Sequence, residues 1–307
     1  MKHFSPNEAD QRTLVSLAEF RALTANQLAL LHDRNPRATE RRLKILAGHE
    51  FVEGATPNLG RPGRPERVWS LGPAGVKLLR GAGEAAVRAQ ERGRAAVDLT
   101  HTQHLLTTNW FWINLLRLAR EMPDVTVRFL PSSSSASSGQ PGGRFRPAGQ
   151  LLAEVFGDGD RAFLPDGVFG LTHRTVGKTL LFVLEVDCGT ERLNSRQVRP
   201  QSIRGKIANY QDCFRSGRYK RCERAWNCAL NGFRALFLAE SASRLTALCR
   251  LVEDSPPSDF VWLTDLATLL DRGPAARIWA RGGHLSATRH SILGSKAPAE
   301  RPASTGQ

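Results

Sequence analysis

The sequence predicts a mixed α and β fold (α+β or α/β) in two domains, one built mainly of short helices and one in which strands and helices alternate. Three observations lead to this prediction. The 307 residues are enough for about two domains of ordinary size. Apolar residues recur at helical spacing near the N-terminus. In the C-terminal half, apolar runs of strand length alternate with helical patterns.

The first domain, residues 1–80, begins with three predicted helices. The first covers residues 9–19. Thr24 is suited to cap the second, and the third starts at Asn35 or Pro36. Two strand-like runs follow, FVEG and RVWSL, separated by the turn-rich NLGRPGRPE, and a helix over LGPAGVKLL completes the domain.

Three helices followed by a two-stranded hairpin form the element order of a winged helix-turn-helix. In that motif the third helix enters the major groove and the hairpin tip lies over the DNA backbone or the minor groove. An ordinary three-helix packing module is the alternative. Basic residues on the exposed side of the third helix and arginines in the tip favour DNA binding. We expect the DNA contacts to come from Arg37, Thr39, Arg41, Arg42, Lys44, Arg61 and Arg64, with Leu43, Ile45 and Leu46 facing the core.

The charge balance favours a polyanionic partner. Lysine and arginine number 43 against 29 acidic residues, for a formal net charge of +14. Arginine forks match phosphate oxygens, although an Arg-, Ala- and Gly-rich composition is also typical of a GC-rich genome. No segment approaches the roughly 18 apolar residues of a membrane helix, and the N-terminus lacks the apolar stretch of a signal peptide. We therefore expect a cytoplasmic protein with DNA as its partner and no membrane partner.

The five cysteines predict neither disulfides nor a zinc site. Their number is odd in a chain without an export signal. Cys213, Cys222 and Cys228 lie close together in sequence, but they form no CxxC pair and no histidine lies between them. We interpret them as core or surface thiols.

The second domain is predicted to cover residues 99–281, after a linker helix over residues 81–98. It opens with a long amphipathic helix, LTHTQHLLTTNWFWINLLRLARE, and a strand, PDVTVRFL. The serine-rich residues 131–150 are interpreted as a flexible low-complexity insertion. Further strands over RAFLPDGVFGL, KTLLFVLEVD, GFRALFLAE and FVWLTDL alternate with helices, and residues 282–307 are predicted to be a disordered tail.

Acidic residues are concentrated at the ends of two of these strands. Asp166 opens one strand, and Glu185 and Asp187 close the next. Because side chains alternate along a strand, Glu185 and Asp187 should point to the same face. Carboxylates on paired strands suit Mg²⁺, which takes one or two carboxylates together with waters. The sequence therefore predicts a Mg²⁺ or Mn²⁺ site formed by Asp166, Glu185 and Asp187. An ion-pair network with the many arginines is the alternative.

The acidic motif resembles the PD-(D/E)xK nuclease superfamily. A PD dipeptide ends at Asp166, an ExD triplet runs from Glu185 to Asp187, and the next helix carries Lys206 and Tyr210. Asp187 stands where that superfamily has lysine, and Lys206 is placed to supply one from the helix. The resemblance implies a restriction-endonuclease-like α/β core in which Asp166, Glu185, Asp187 and Lys206 are catalytic. A nuclease fold that has lost its activity is the alternative.

A second resemblance covers residues 8 to about 265. The segments LPDGVFGL, FVLEVDCGTE and KIANYQ, with HLLTTN from His104 and a preceding winged helix, are similar to the replication-relaxation family of plasmid and integrative-element proteins. This resemblance implies DNA binding at an element's origin, a suspected nicking or endonuclease activity, and other replication or conjugation proteins as further partners. Glu191, Tyr210 and His104 are candidate accessory residues. The alternative function is a non-catalytic origin-binding protein or transcriptional regulator.

Overall fold

The computed structural model describes residues 4–57, 66–80, 102–130, 155–156, 164–189 and 202–294. Contacts divide the chain into two compact units, Met1–Ile113 and Asn114–Gln307. Each unit contains helices and a β-sheet, so the predicted mixture of α and β structure is confirmed. The predicted linker helix and the low-complexity insertion lie outside the described residues. No helix in the described part of the chain is long and apolar enough to span a membrane.

The first unit combines short helices with a three-stranded antiparallel sheet. Its elements in chain order are α1 (Glu8–Phe20), β1 (Ala22–Thr24), α2 (Ala25–Leu31), α3 (Pro36–Gly48), β2 (Val52–Ala55), β3 (Val68–Leu71) and α4 (Pro73–Arg80). The strands pair in the order β1-β3-β2. The sequence predicted every element except β1, whose three residues are too few to show a strand pattern.

Local capping sets the starts of the helices in this unit. The Thr24 side chain accepts a hydrogen bond from the Gln27 backbone, and the Gln27 side-chain oxygen accepts one from the Thr24 backbone N–H. At the start of α3 the Asn35 side chain accepts a hydrogen bond from the Ala38 backbone, and Pro36 is the first residue of the helix. Such caps satisfy backbone N–H groups that have no partner within the helix. Both predicted helix starts are confirmed.

A long helix, α5 (Thr102–Glu121), begins in the first unit. The Asn109 amide donates hydrogen bonds to the carbonyls of Phe20 at 3.2 Å and Ala22 at 2.8 Å. These carbonyls flank Arg21, whose φ of 68° reverses the chain between α1 and β1. Because these hydrogen bonds join the start of α5 to α1 and β1, residues 102–113 belong to the first unit and not to the predicted second domain.

The second unit is built on a mixed six-stranded sheet. Its strands are β4 (Val125–Leu130), β5 (Gly167–His173), β6 (Lys178–Asp187), β7 (Phe233–Ala239), β8 (Val261–Asp265) and β9 (Ala280–Arg281), paired in that order. The pairs β6–β7 and β7–β8 are parallel, and the others are antiparallel. The helices are α6 (Ile203–Ser216), α7 (Arg221–Trp226), α8 (Ala242–Glu253) and α9 (Leu266–Arg272), with a 3₁₀ turn over Arg218–Lys220.

One face of this sheet is covered by α6 and α8. Alternate strand residues such as Val183, Phe237 and Leu263 form a buried cluster with Ile207 of α6 and Leu248 of α8. Residues one position further along each strand point to the opposite face. Glu185 follows Val183 by two positions, so its side chain points to the face covered by the helices.

The C-terminal segment corrects one prediction. Residues 282–294, expected to be disordered, fold back on the second unit. Trp279 and His290 form a β-bridge, and the Ser291 hydroxyl donates to the Ala275 carbonyl. Ile292 is only 1% exposed. Two glycines with positive φ, Gly282 and Gly283, turn the chain there. The segment is mainly polar, and buried Ser291 and Ile292 are too few to form a pattern that predicts a folded segment. Residues 295–307 lie outside the described residues.

Candidate functional site

The outward face of α3 is basic. Arg37, Arg41 and Lys44 are exposed at positions i, i+4 and i+7, and such residues share one side of a helix. Leu43 and Leu46 are buried on the opposite side, as predicted. Ile45, which the sequence placed in the core, is 47% exposed and lies beside the basic residues.

Two of the predicted DNA contacts have other roles in the structure. Thr39 is buried, and its hydroxyl donates to the Asn35 carbonyl at 3.0 Å. Arg42 forms a two-pronged ion pair with buried Asp10 of α1, with Nε–Oδ1 and Nη2–Oδ2 distances of 2.7 and 2.5 Å. Burial opposes ionisation of Asp10, but hydrogen bonds from Arg42 and from the Asn7 backbone hold its pKa below the usual value. Arg42 therefore joins α3 to α1.

The predicted hairpin tip is only partly within the described residues. Arg61 and Arg64 lie outside them. Arg67, which follows them, places its guanidinium over the ring of Trp69 at 5.5 Å. The expected contacts of Arg61 and Arg64 with DNA stay predictions.

Glu185 is the centre of the acidic site in the second unit. It lies near the end of β6 and is 2% exposed. Its Oε2 is 3.0 Å from Lys206 Nζ, and the Tyr210 hydroxyl donates to its Oε1. Both partners come from α6, where a spacing of four residues places them on one side of the helix. The predicted approach of Lys206 to the acidic strand is therefore present in the structure.

The pKa of Glu185 is raised to about 7. Burial is the largest cause, because removal from water disfavours the charged carboxylate. The Lys206 charge acts in the opposite direction, and the nearby charge of Asp166 raises the pKa further. This carboxyl consequently changes its charge near neutral pH.

Asp166 lies next to Glu185 across two paired strands. Gly167 of β5 pairs with Leu184 of β6, which places the preceding Asp166 beside the following Glu185. Its Oδ2 accepts a hydrogen bond from the Val186 backbone N–H at 2.7 Å. The side chain is half-buried, so this carboxylate borders solvent while Glu185 does not.

Asp187 is held by an arginine that the sequence analysis did not identify. Its Oδ2 is 2.9 Å from Nε of Arg244, in the first turn of α8, and its Oδ1 accepts from the Gly189 backbone at 2.7 Å. The nearest sequence signal was the Ser241 cap that starts α8, but nothing in the sequence connected that helix to Asp187. The expected structural ion pair is therefore present at Asp187.

Two of the three predicted metal ligands are thus held in separate ion pairs, Glu185 with Lys206 and Asp187 with Arg244, whereas Asp166 accepts from the Val186 backbone. No group of three or more His, Cys, Asp or Glu side chains within the described residues has the arrangement of a metal site. Asp166 and Glu185 remain a neighbouring pair of carboxylates, and one or two carboxylates with waters are the usual protein ligands of Mg²⁺. This donor set fits a two-carboxylate site. Metal binding at these residues stays a prediction.

The accessory residues occupy different settings. Tyr210 is fully buried, and burial together with the Glu185 charge raises its pKa well above the usual value. It is therefore a positioning residue for Glu185 and is not exposed as a nucleophile. His104 is half-buried on α5, and its backbone carbonyl accepts from the Thr108 hydroxyl at 2.8 Å. Glu191 lies outside the described residues.

Comparison with known proteins gives one informative match. A family model described as replication-relaxation matches residues 14–225. No curated protein matches the sequence. Among solved structures, a mutant of ZitR from Lactococcus lactis is 19% identical, and the match covers 39% of this chain and 64% of that chain, slightly less than two thirds. Its TM-score is 0.21, so this likeness carries no argument.

Proposed function

The chain belongs to the replication-relaxation family, whose model covers more than half of its residues, and we propose that it is a DNA-binding protein of a mobile genetic element that acts at a replication origin. Membership of this family indicates a role in replication. DNA recognition is our own inference from the first unit, and the exposed basic face of α3 is the observation that carries it.

The element order of the first unit supports this assignment. Helix, strand, two helices and two strands follow one another, with the first strand paired to the last, as in a winged helix-turn-helix. In that motif α3 is the recognition helix. Arg37, Arg41 and Lys44 supply phosphate or base contacts on it. Exposed Ile45 supplies an apolar side chain suited to contact a thymine methyl group in the major groove.

The test of DNA binding compares two single-arginine variants. Arg41→Ala removes a charge from the proposed recognition face, and Arg12→Ala removes an exposed arginine from α1. Fluorescence anisotropy with labelled origin duplex is measured over a range of salt concentrations. Because each neutralised phosphate contributes about −0.9 to the slope of log K against log salt, Arg41→Ala should weaken binding and flatten that slope by about one such unit. Equal effects of the two variants would remove α3 from the recognition role.

A second candidate function, metal-dependent cleavage of DNA, is favoured by the position of Lys206. Its ammonium lies 3.0 Å from Glu185 Oε2, although the strand position two residues after Glu185 is occupied by Asp187. The position of this lysine beside the acidic pair supports a variant of the PD-(D/E)xK arrangement in which α6, and not the strand, supplies the lysine.

The chemistry of this second candidate is divided among three side chains. Asp166 and Glu185 would hold Mg²⁺ or Mn²⁺, which when bound polarises a scissile phosphate and lowers the pKa of an attacking water. Lys206 would stabilise negative charge that develops on the phosphate oxygens. Tyr210 orients Glu185, and Asp187 stabilises the start of α8 through Arg244.

Cleavage is tested on a supercoiled plasmid that carries the element's own origin, with Mg²⁺ or Mn²⁺. Wild type is compared with Asp166→Asn and Lys206→Met, and exposed Asp271→Asn serves as the matched control. We expect metal-dependent open-circle or linear product that is lost in the first two variants and kept in the control, with DNA binding retained in all three. Tight binding without cleavage in either metal would favour the alternative, a non-catalytic origin-binding protein or transcriptional regulator.

A further inference from the structure

The second unit contains a cavity of about 310 Å³ that none of the predicted site residues line. It lies where β7, β8 and β9 meet the folded-back C-terminal segment. Its lining includes three arginines, Arg234, Arg277 and Arg281, with Trp262 and His290. The concentration of guanidinium groups in one concave space is unusual, because like charges repel one another when they are partly removed from water.

This cavity lies on the sheet face opposite the acidic site. Arg234 pairs with Phe182 in β6, and Trp262 pairs with Leu236 and with Arg281. Glu185 pairs with Phe237, which belongs to the face covered by α6 and α8. Because successive strand residues point to opposite faces, Arg234 and Trp262 point away from the Glu185 side. The cavity is therefore separate from the candidate cleavage site.

The positive charge in the cavity is only partly balanced. Arg281 forms an ion pair with Asp259 at 2.9 Å, and that carboxylate is exposed. Arg234 and Arg277 have no carboxylate partner in the part of the chain that the structure describes. Burial lowers the pKa of His290, and the charges of Arg281, Arg277 and Arg234 lower it further. A bound anion would supply the missing negative charge.

One of the arginines is held in place by its aromatic neighbour. The Arg234 guanidinium lies 4.8 Å from the centre of the Trp262 ring. The Trp262 indole N–H donates to the Asp259 carbonyl at 3.2 Å, and the His290 ring lies 5.4 Å from the Trp262 ring. Since Trp262 is buried among these groups, the cavity presents guanidinium N–H groups rather than an aromatic platform for a base.

We propose that this cavity binds a phosphate group through Arg234, Arg277 and Arg281. Guanidinium groups form paired, charge-assisted hydrogen bonds with phosphate oxygens. A phosphate group has more oxygens than a carboxylate, so it is the better ligand for a site with several arginines. The phosphate has two potential sources, a free phosphorylated molecule or the backbone of DNA. The second source rests on the proposed DNA-binding function, whereas the first does not.

The two sources are distinguished by separate titrations of the full-length protein. Inorganic phosphate is titrated by calorimetry, and a short labelled oligothymidylate without terminal phosphate is titrated by anisotropy over a range of salt. Arg277→Gln and Arg281→Gln are compared with Arg250→Gln, which removes the same charge from an exposed position on α8. Arg277 is the primary variant because it is exposed and its loss leaves the Arg234–Trp262 contact in place.

We expect Arg277→Gln to weaken phosphate binding about tenfold or more, as for the loss of a charge-assisted hydrogen bond, while Arg250→Gln leaves it unchanged. If backbone DNA is the source, the salt slope for the oligothymidylate also falls by about 0.7. Phosphate binding without oligothymidylate binding would assign the cavity to a free phosphorylated molecule, and binding of origin duplex through α3 would still be decided by its own assay. Absence of saturable phosphate binding in wild type, or equal affinities of all three variants in both titrations, would overturn the proposal.

Discussion

Single residues in the acidic site are positioned by partners that are distant in sequence. Glu185 and Asp187 share a face of one strand, yet Glu185 contacts Lys206 and Tyr210 whereas Asp187 contacts Arg244. A buried carboxylate without a partner is unfavourable by several kcal/mol, so both must be hydrogen-bonded or neutral. Two acids on one face of a strand therefore contact two different helices, α6 at Glu185 and α8 at Asp187.

The raised pKa of Glu185 predicts a specific pH dependence of stability. Its pKa of about 7 in the folded protein exceeds the usual 4.5, so between these values the folded state binds more protons than the unfolded state. Stability should fall as pH rises from about 4.5 to 7, by roughly 3 kcal/mol at 1.36 kcal/mol per pH unit. Glu185→Gln should lack this fall, and Asp271→Asn should keep it. Urea unfolding in metal-free buffer at several pH values measures both, and parallel curves for wild type and Glu185→Gln would contradict the assignment.

The Asp187–Arg244 ion pair predicts that substitutions of these two residues have non-additive effects on the free energy of unfolding. Arg244→Ala leaves a buried carboxylate without its cation and should destabilise the protein by about 3 kcal/mol. The same change in an Asp187→Asn background should cost much less, because the buried charge is already absent. A double-mutant cycle measured by urea unfolding gives the coupling energy. Additive effects would show that the two side chains do not depend on each other.

At the scale of elements, α3 and α5 are each attached by a few polar contacts. Arg42 joins α3 to α1, which leaves the neighbouring Arg41 exposed on the outer face. Asn109 joins α5 to the turn between α1 and β1. The HLLTTN motif, singled out for its resemblance to a family pattern, thus ends in a residue whose contacts are structural.

Asn109 is predicted to stabilise the α1–β1 turn through its amide group. Asn109→Asp keeps the shape of the side chain but replaces the donating amide with a carboxylate that faces two carbonyl oxygens. Because a buried acceptor without its donor costs about 1 to 3 kcal/mol, the loss should be at least about 2 kcal/mol. Exposed Asn231→Asp, the same chemical change elsewhere, should have little effect. Thermal unfolding of both variants provides the measurement, and equal melting temperatures would argue against this role.

At the scale of the whole molecule, basic surfaces are found in both units. The first unit carries the α3 face, and the second carries the three-arginine cavity. The net charge of +14 is thus concentrated in part at two defined places. Such surfaces attract a polyanion over a distance of about 10 Å at moderate salt.

Ile292 is predicted to anchor the C-terminal segment to the second unit. Its side chain is almost completely buried, so Ile292→Ala should destabilise the protein by about 2 to 5 kcal/mol through lost burial and the cavity left behind. Leu270→Ala, at a position 41% exposed, should cost well under half as much. Chemical denaturation of the two variants tests this difference, and similar losses would place the C-terminal segment outside the stable core.

The strength of local signals decided which elements the sequence predicted. The caps at Thr24 and Asn35 act over three residues, so their patterns predicted the starts of α2 and α3. The apolar runs of β6, β7 and β8 were long enough to show as strands. The three-residue β1 and two-residue β9 are too short for such a pattern, and only pairing with other strands forms them.

The sequence alone determined the α and β composition and the basic side of α3, because spacing within a helix or strand fixes which side chains share a face. Short motifs that resemble known families indicated the family and the approach of Lys206 to the acidic strand. The tertiary structure decided which charged groups meet. It paired Arg42 with Asp10 and Arg244 with Asp187, exposed Ile45, and gathered three arginines beside the folded-back C-terminal segment. These contacts join residues that are far apart in the chain, and burial rather than local pattern sets the energy of each charge.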